Sequence, residues 1–329
     1  MTNEPLVDGF NRRMEYLRVS ITDRCNLKCA YCAPSVTSSS RASSCDMLQD
    51  DDFLRLINVF ACLGIRKVRL TGGEPLARRG AVGLIERIGR IPGVMEMALT
   101  TNGTGLKPVA EELARAGVAR VNISLDTLSR HKYRKITGRD GFNRALEGFH
   151  AALSAGFSTV KVNTVVMAGV NDDEVEEFAR LSIGMKAQFR FIEFMPTSAG
   201  LWSKEKFVPM SEVKRLVEKL GPLIPASRRQ WGGPAEVYRL ANAQGEVGFI
   251  SAVSRHFCAD CNRLRITSSG KLMTCLFGGE DLDLREMMRS GSTDAQIAEA
   301  IRHAVINKNA VRSLPEENET RLAMACVGG

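Results

Sequence analysis

Residues 14–32 read MEYLRVSITDRCNLKCAYC, a strand-like apolar run that is followed at once by three cysteines. Cys25, Cys29 and Cys32 are separated by three residues and then by two. A cubane iron–sulfur cluster has four irons and is normally held by four thiolates, so a protein that supplies three leaves one iron with an open coordination position. The spacing therefore predicts a 4Fe-4S cluster that can bind a further ligand.

Two other interpretations of this first triad stay open at this point, a structural zinc ion and plain thiols. A structural zinc takes four Cys or His ligands, and neither residue type occurs between Cys32 and Cys45. Disulfides between cysteines this close together would be strained. The chain has nine cysteines, an odd number, and only four histidines, which further weakens both alternatives.

The composition is that of an ordinary globular protein. Of 329 residues, 44% are hydrophobic and 25% are charged, which suffices for a full core. No apolar run reaches 18 residues, and the start, MTNEPLVDGF, lacks a signal-peptide pattern. We therefore expect a cytoplasmic protein with reduced thiols and no membrane association. The net charge of +8 comes from scattered basic residues, a pattern that does not predict nucleic-acid binding but is compatible with a small polyanion.

Strand-like and helical patterns alternate along the first 200 residues. The strand-like runs cover 14–21, 65–70, 94–100, 118–125, 158–167 and 188–194, and the helical patterns lie around 50–63, 80–90, 106–116, 140–155 and 173–184. Six such units predict an α/β fold, an incomplete (βα)6 barrel of the TIM type that lacks two strands. We expect this barrel to span residues 1–200. Residues 201–329 then form a C-terminal region that closes the barrel and brings a second cysteine triad, within residues 258–275, to the barrel's open mouth.

Polar residues cluster where the predicted strands end, which is where such barrels carry their chemistry. Thr71-Gly72-Gly73-Glu74-Pro75 follows the second run. The glycine pair alone indicates only a tight turn, but beside a cysteine triad its amides and carboxylate could face a bound amine. Further distinctive residues stand on the later runs or at their ends: Thr100, Asn102, Ser124, Asp126, Lys161, Asn163, Arg190, Glu193 and Met195.

A second triad lies downstream, in the stretch FCADCNRLRITSSGKLMTCLF. Cys258 and Cys261 are two residues apart, and Cys275 follows thirteen residues later, so this triad also lacks a fourth thiolate. Arg263 and Arg265 alternate on a strand-like stretch, which points both side chains the same way. Such a pair can be a surface ion pair, but beside an open cluster it predicts a site for an anionic substrate. The cysteines at 45, 62 and 326 receive no role.

The first triad resembles the signature of the radical S-adenosylmethionine enzymes, with Tyr31 as the aromatic residue before the last cysteine. In that family the open iron binds the amine and carboxylate of S-adenosylmethionine, whose cleavage gives a 5′-deoxyadenosyl radical. The loop at Gly72, Gly73 and Glu74 is similar to the family's loop for the amino group. The resemblance thus gives the missing fourth thiolate a purpose.

Both triads together resemble the GTP 3′,8-cyclases of molybdenum cofactor biosynthesis. The similarity runs through LRVSITDRCNLKCAYC, VRLTGGEPL, TTNG, VNISLDTL, KVNTVVM, RFIEFMP, GFISAVS, FCADCNRLRIT and TCLF. The resemblance implies that the radical abstracts the 3′ hydrogen of GTP, and that the product is (8S)-3′,8-cyclo-7,8-dihydroguanosine 5′-triphosphate. It also implies two 4Fe-4S clusters, the second of which binds guanine through its open iron.

The family's ligand contacts carry over to individual positions here. S-adenosylmethionine contacts are implied for Tyr31, Gly72, Gly73, Glu74, Ser124 and Met195. GTP contacts are implied for Arg18, Arg69, Thr100, Lys161, Asn262, Arg263, Leu264 and Arg265, with Lys67 and Arg190 as weaker candidates. Arg18 and Lys161 stand within apolar runs, where an unpaired charge is costly, and a bound triphosphate would explain them. A catalytic part is implied for the first triad and for the arginine pair.

The resemblance also has implications for partners and for the chain's end. It implies a homodimer, an external low-potential electron donor, and a downstream cyclic pyranopterin monophosphate synthase. The final Gly328-Gly329 matches a family tail that reaches the active site, although the composition alone favours a frayed terminus. The stretch 36–44 is Ser-rich and atypical, and we expect it to be mobile. Two alternatives remain: a peptide-maturing radical enzyme, which would carry more cysteines, and an electron carrier or zinc module.

Overall fold

A computed structural model describes residues 5–32, 47–196, 202–227 and 233–311. The Ser-rich stretch, Cys45, Cys326 and the terminal glycine pair lie outside these residues, so the expectations for them stay predictions. Within the described residues, no helix has the length and apolar character that a membrane span requires.

The six predicted strands are confirmed, and each lies within one residue or two of its predicted range. They are β1 (Tyr16–Ser20), β2 (Lys67–Thr71), β3 (Glu96–Thr101), β4 (Val118–Ser124), β5 (Thr159–Val166) and β6 (Gln188–Glu193). Neighbours along the chain pair in parallel. The prediction of a partial (βα)6 barrel is therefore correct for this part of the chain.

Helices cross over between these strands. They are α1 (Asp50–Cys62), α2 (Ala81–Gly89), α3 (Ala110–Arg115), α4 (Arg130–Thr137), α5 (Phe142–Ser154) and α6 (Val175–Gly184), followed by α7 (Met210–Glu218). The sequence patterns missed α4, because its segment RHKYRKIT is mostly polar and buries only three residues. Its ends are nevertheless marked: the Ser129 side chain caps the start and Gly138 adopts a left-handed conformation at the end.

Side chains alternate along each strand between an apolar outer layer and a polar interior. On β1, for example, Leu17 and Val19 are fully buried in the hydrophobic core, whereas Tyr16 and Arg18 line a central cavity. The core thus lies between the sheet and its helices, where period-2 alternation places every second residue. The sheet's concave face is left to polar side chains.

The C-terminal region extends both edges of this sheet. It contributes β7 (Leu223–Pro225), β8 (Glu236–Leu240), β9 (Glu246–Ile250), β10 (Arg263–Ile266), β11 (Lys271–Met273), β12 (Leu282–Asp283), α8 (Leu284–Arg289) and α9 (Asp294–Ile306). Strand β9 pairs in parallel with β6, and β10 pairs in parallel with β1. Strands from beyond residue 200 therefore stand where an eight-stranded barrel would have its last two. A domain boundary at residue 200 stays a prediction.

The position of the second triad corrects one expectation. Because Tyr16 is opposite Arg263 in the parallel β1–β10 pair, Cys261 lies level with the start of β1. Arg265 pairs with Met273 in the antiparallel β10–β11 pair, so Cys275 lies at the same end. The C-terminal region does not bring the second triad to the carboxyl ends of the strands, where the first triad lies, but to their amino ends.

Candidate active site between two cysteine triads

A single cavity of about 310 Å³ connects the two triads through the concave side of the sheet. All six cysteines line it: Cys25, Cys29, Cys32, Cys258, Cys261 and Cys275. The seven cysteines in the described part of the chain are free thiols. Two sets of three thiols thus face one enclosed space from opposite ends.

The Gly72-Gly73 loop packs directly against the backbone that leads into the first triad. A Cβ atom at Gly73 would lie 2.4 Å from the carbonyl oxygen of Arg24, and one at Gly72 would lie 2.5 Å from that of Thr22. Only glycine permits such an approach. The amide of Gly73 donates to the Thr22 carbonyl and that of Glu74 to the Arg24 carbonyl, both at 2.8 Å. Both glycines line the cavity.

The sequence suggested that this loop offers its amides and the Glu74 carboxylate to a ligand. For the amides of Gly73 and Glu74 this expectation is wrong, because both donate to carbonyls within the protein. The Glu74 carboxylate is buried and accepts hydrogen bonds from the Thr101 hydroxyl and the Asn102 amide, both at 2.7 Å. It also accepts the Leu76 amide at 3.0 Å. Burial raises the pKa of Glu74, and these three donors oppose that rise. Glu74 thus holds the β2 and β3 loops together.

Tyr31 and Asp126 form a buried pair beside the first triad. The Tyr31 hydroxyl donates to the Asp126 carboxylate at 2.6 Å, and the Val165 amide donates to the same carboxylate at 2.9 Å. Burial raises the pKa of Asp126 to about 6, although both donors lower it. Burial, followed by the neighbouring Asp126 charge, raises the pKa of Tyr31 well above its usual value. The pair fixes the aromatic ring of Tyr31 against the cavity wall.

The thiols of the two triads differ in their electrostatic surroundings. Burial raises the pKa of Cys25, and it raises that of Cys29 still further, with Asp126 as the next cause. Burial also acts to raise the pKa of Cys261, but the charges of Arg263 and Lys308 outweigh it and lower that pKa to about 7. The positive charges around Cys261 therefore favour its thiolate form.

The donor types fit iron–sulfur clusters at both ends. Each triad offers three thiols, the soft ligands that cluster irons prefer. Within the described ranges no three His, Cys, Asp or Glu side chains are drawn together as ligands of one metal ion. The fit therefore depends on the thiols themselves and on the cavity that they share.

Arginines line the cavity between the triads. They are Arg18, Arg69, Arg190, Arg263 and Arg265. Burial, with neighbouring arginines as the next cause, lowers the pKa of Arg190 to about 9 and that of Arg265 to about 10. The Arg190 guanidinium is held by the Asn163 side-chain oxygen at 2.5 and 2.8 Å, whereas the buried Nε of Arg69 has no hydrogen-bond partner among the described residues. Such mutually repelling cations favour an anionic ligand.

Two lysines deeper in the barrel differ sharply. Lys67 is fully buried but forms an ion pair with Glu96 at 2.6 Å, and Glu96 also pairs with Arg120 at 2.5 Å. Lys161 is 6% exposed and has no hydrogen-bond or ion-pair partner within the described chain. Burial, and then Arg190 and Arg69, lower the pKa of Lys161 to about 5. Lys67 is thus neutralised by the protein itself, whereas Lys161 is not.

The remaining predicted residues divide into two groups. Thr100, Ser124, Tyr31 and Met195 line the cavity. Outside its lining lie Glu74, Lys67, Lys161, Asn262 and Leu264. The Asn262 carbonyl accepts the Tyr16 amide at 3.2 Å, and Leu264 is a core residue. Whether these residues contact ligands stays a prediction.

Sequence reasoning missed Tyr16, which lines the cavity beside the second triad. Its ring lies under Lys67 Nζ, 4.9 Å from the ring centroid, and under the Arg69 guanidinium at 5.5 Å. Burial acts to raise its pKa, but Arg69, Arg18 and Lys67 lower it to about 8. The signal was available, because Tyr16 precedes Arg18 by two positions and so shares its face of the strand.

Two family models match adjacent parts of the chain. The model of the radical SAM superfamily matches residues 19–182, and the model named Molybdenum Cofactor Synthesis C matches residues 187–314. The first match runs from the end of β1 into α6 and contains the first triad, and the second match contains the second triad.

Curated relatives match almost the whole chain. A GTP 3′,8-cyclase of Thermodesulfovibrio yellowstonii is 43% identical over 323 residues, which are 98% of this chain and 99% of that protein. The chain belongs to the GTP 3′,8-cyclase family of radical SAM enzymes. Another member, from Pelotomaculum thermopropionicum, is 44% identical over 324 residues, with the same coverage.

Solved structures show the same fold outside the GTP 3′,8-cyclases. Streptococcus suis SuiB bound to S-adenosylmethionine superposes with a TM-score of 0.62, over 88% of this chain and 69% of that one, at 16% identity. The likeness establishes a radical SAM fold, which agrees with the predicted partial barrel and its C-terminal extension.

Proposed function

We propose that this chain converts GTP to (8S)-3′,8-cyclo-7,8-dihydroguanosine 5′-triphosphate, the first step of molybdenum cofactor biosynthesis. The observation that carries the proposal is the shared cavity, in which two cysteine triads face each other across a belt of arginines. A cluster with an open iron at each end would leave room for one ligand at each triad. The family membership supports the same function.

The first triad would hold the cluster that binds S-adenosylmethionine, and Cys258, Cys261 and Cys275 would hold the second. Tyr31, Gly72, Gly73, Ser124 and Met195 lie around the first triad and would position S-adenosylmethionine. Cys25, Cys29 and Cys32 would hold a cluster that, once reduced, would supply the electron for cleavage of S-adenosylmethionine into methionine and the 5′-deoxyadenosyl radical, and this radical would abstract the ribose 3′ hydrogen.

The arginines of the cavity would bind GTP. Guanidinium groups match phosphate oxygens in two-pronged contacts, and Arg18, Arg69, Arg263 and Arg265 stand between the triads. Their mutual repulsion in a buried space is relieved when a polyanion enters, so substrate charge and protein charge offset each other. Thr100 adds a hydroxyl on the same face, and Lys161 could extend the cationic wall. The belt would hold the substrate between the two clusters.

The remaining assignments rest on the family alone. We propose a homodimer in the cytoplasm, an external low-potential electron donor, and a downstream cyclic pyranopterin monophosphate synthase that takes the product. The terminal Gly328-Gly329 would reach toward the active site.

The test is to reconstitute the protein anaerobically, reduce it, and incubate it with S-adenosylmethionine and each of the four nucleoside triphosphates. We expect a cyclised purine from GTP alone, with one 5′-deoxyadenosine formed per product molecule. Mass spectrometry and chromatography measure both products. Cleavage of S-adenosylmethionine without consumption of any nucleotide would refute the cyclase assignment.

A further inference from the structure

Arg12, a buried arginine outside the cavity, hydrogen-bonds to the backbone of the second triad. Arg12 lies in the loop before β1 and pairs with the Asp8 carboxylate at 2.6 Å. Its Nη1 donates to the carbonyl of Cys258 at 2.7 Å and to that of Ala310 at 2.9 Å, and its Nη2 donates to the Asn309 carbonyl at 2.7 Å. One guanidinium thus joins the N-terminal loop, the second triad and the segment after α9.

A buried lysine, Lys308, also hydrogen-bonds to backbone carbonyls near the second triad. Lys308 is 3% exposed, and its Nζ donates to the carbonyl of Thr274 and, at 3.3 Å, to that of Arg263. Thr274 precedes Cys275, and Arg263 follows Cys261 by two residues. Arg12 and Lys308 therefore bind carbonyls in both chain segments that carry the second triad, at Cys258 and Arg263 in the first and at Thr274 in the second.

Arg12 forms more hydrogen bonds than a local ion pair with Asp8 would provide. The Asp8 carboxylate also accepts the amides of Phe10 and Arg12 at 3.0 and 2.9 Å, so it fixes the guanidinium from one side. Of the five N–H donors of Arg12, one is used by Asp8 and three by carbonyls that lie at least 246 residues away in the chain. Lysine offers no planar fork and could not match this arrangement.

We propose that Arg12 and Lys308 are positioning residues for the second triad, which set the spacing of its three thiols by holding their backbone segments together. Neither residue lines the cavity, so both act through the triad. The proposal rests on the proposed function only for the triad's role as a substrate site. The bracing itself is a property of the protein without any ligand.

The experiment compares Arg12→Gln with Arg13→Gln in the full-length protein. Arg13 is a matched control, because its side chain is 56% exposed and, among the residues that the structure describes, forms its ion pair with Glu15 at 3.3 Å. In the metal-free protein, hydrogen exchange followed by mass spectrometry should show faster exchange in peptides covering 256–262 and 272–278. Loss of charge-assisted hydrogen bonds predicts a change of about tenfold or more. Peptides from α5, far from Arg12, should not change.

Reconstituted protein gives the second readout. Arg12→Gln should lower iron content toward about half, because the second cluster alone is impaired, while cleavage of S-adenosylmethionine continues. The KM for GTP should rise at least tenfold in whatever fraction retains both clusters, and Arg12→Lys should restore part of the loss. Lys308→Met should reproduce this pattern independently.

Two outcomes would overturn the proposal. Unchanged hydrogen exchange and full iron content in Arg12→Gln and Lys308→Met would show that these two residues do not position the second triad. Equal loss of both clusters, together with faster exchange throughout the chain, would reduce the two residues to general folding contacts. Failure of the cyclase assay in unmodified protein would refute the proposed function, but would leave the exchange result intact.

Discussion

Lys161 gives a prediction that depends on both the charge and the burial of the cavity wall. Its ammonium group would face Arg190 on β6, Arg69 and Lys67 on β2, and Arg120 on β4, and these cations, after burial, lower its pKa to about 5. At pH 7 the free protein therefore holds Lys161 as a neutral amine. A triphosphate bound against this wall reverses the balance and favours the ammonium form.

The size of the effect follows from the pKa. Protonating a group of pKa about 5 at pH 7 costs about 3 kcal/mol in the free protein. Four negative charges nearby in low dielectric are worth more than this. We therefore expect GTP binding to take up about one proton per site at Lys161.

Calorimetric titration with GTP at pH 7, in buffers of different ionisation enthalpy, measures this proton uptake directly. The observed binding enthalpy is plotted against the ionisation enthalpy of the buffer, and the slope of this plot gives the number of protons taken up. This number should be larger by about one in the unaltered protein than in Lys161→Met. Titration of GTP itself cancels in this difference. Tyr16→Phe is the control for a second group in the wall that can titrate near pH 7, because its pKa is lowered to about 8. An equal slope in both proteins would show that Lys161 is either already charged or remote from the phosphates.

Stability against pH tests the same pKa without ligand. Because Lys161 titrates at about 5 when folded, against 10.5 when unperturbed, the unfolded chain binds the extra proton between these values. Stability then rises with pH across this window. Lys161→Met should accordingly stabilise the protein more at pH 6 than at pH 9, by about 3–4 kcal/mol. A pH-independent difference in melting temperature would contradict the assigned pKa.

Three further predictions concern the triads and the arginine belt. Anaerobic reconstitution should give about eight irons per chain, and a content near four, or stoichiometric zinc, would exclude two clusters. Arg263→Ala and Arg18→Ala should each weaken GTP binding about tenfold to a hundredfold and leave S-adenosylmethionine binding intact, while Arg255→Ala, whose side chain is 79% exposed, should change neither. Cys275→Ser should abolish cyclisation but retain reductive cleavage of S-adenosylmethionine, whereas Cys25→Ser should abolish both, and near-normal cyclisation by Cys275→Ser would remove the second triad from the substrate site.

The strands of the barrel could be predicted because their outward residues form an unbroken apolar layer. Residues such as Val68, Leu70 and Leu99 are fully buried, and a run of this kind has few other folds available. Helix α4 could not be predicted in the same way, since its short, charged segment contacts the core through few side chains. Its cap residues Ser129 and Gly138 were the only local signal.

The location of the second triad was beyond sequence reasoning for a different reason. Cysteine spacing predicts ligands, but not which end of the sheet they reach. That end is decided by the parallel pairing of β10 with β1, a contact between residues about 250 positions apart. Local patterns carry no information about such a pairing. Likewise, Glu74 stands in a motif that suggests a ligand contact, but two of its three hydrogen bonds, from Thr101 and Asn102, form only when the β2 and β3 loops meet.

The two triads lie at opposite ends of the sheet, and this placement explains why the arginines of the cavity lie within the strands and not at the rim of the barrel. Were both clusters at one end, a substrate could be held at the rim by surface charges, which solvent screens. With a triad at each end, the substrate must lie within the barrel, where a triphosphate is stable only if buried cations surround it. Arg18, Arg69, Arg190 and Arg265 occupy inward strand positions that a TIM barrel normally fills with apolar side chains. Burying these cations without an anion destabilises the free protein, and binding of the anionic substrate offsets this destabilisation.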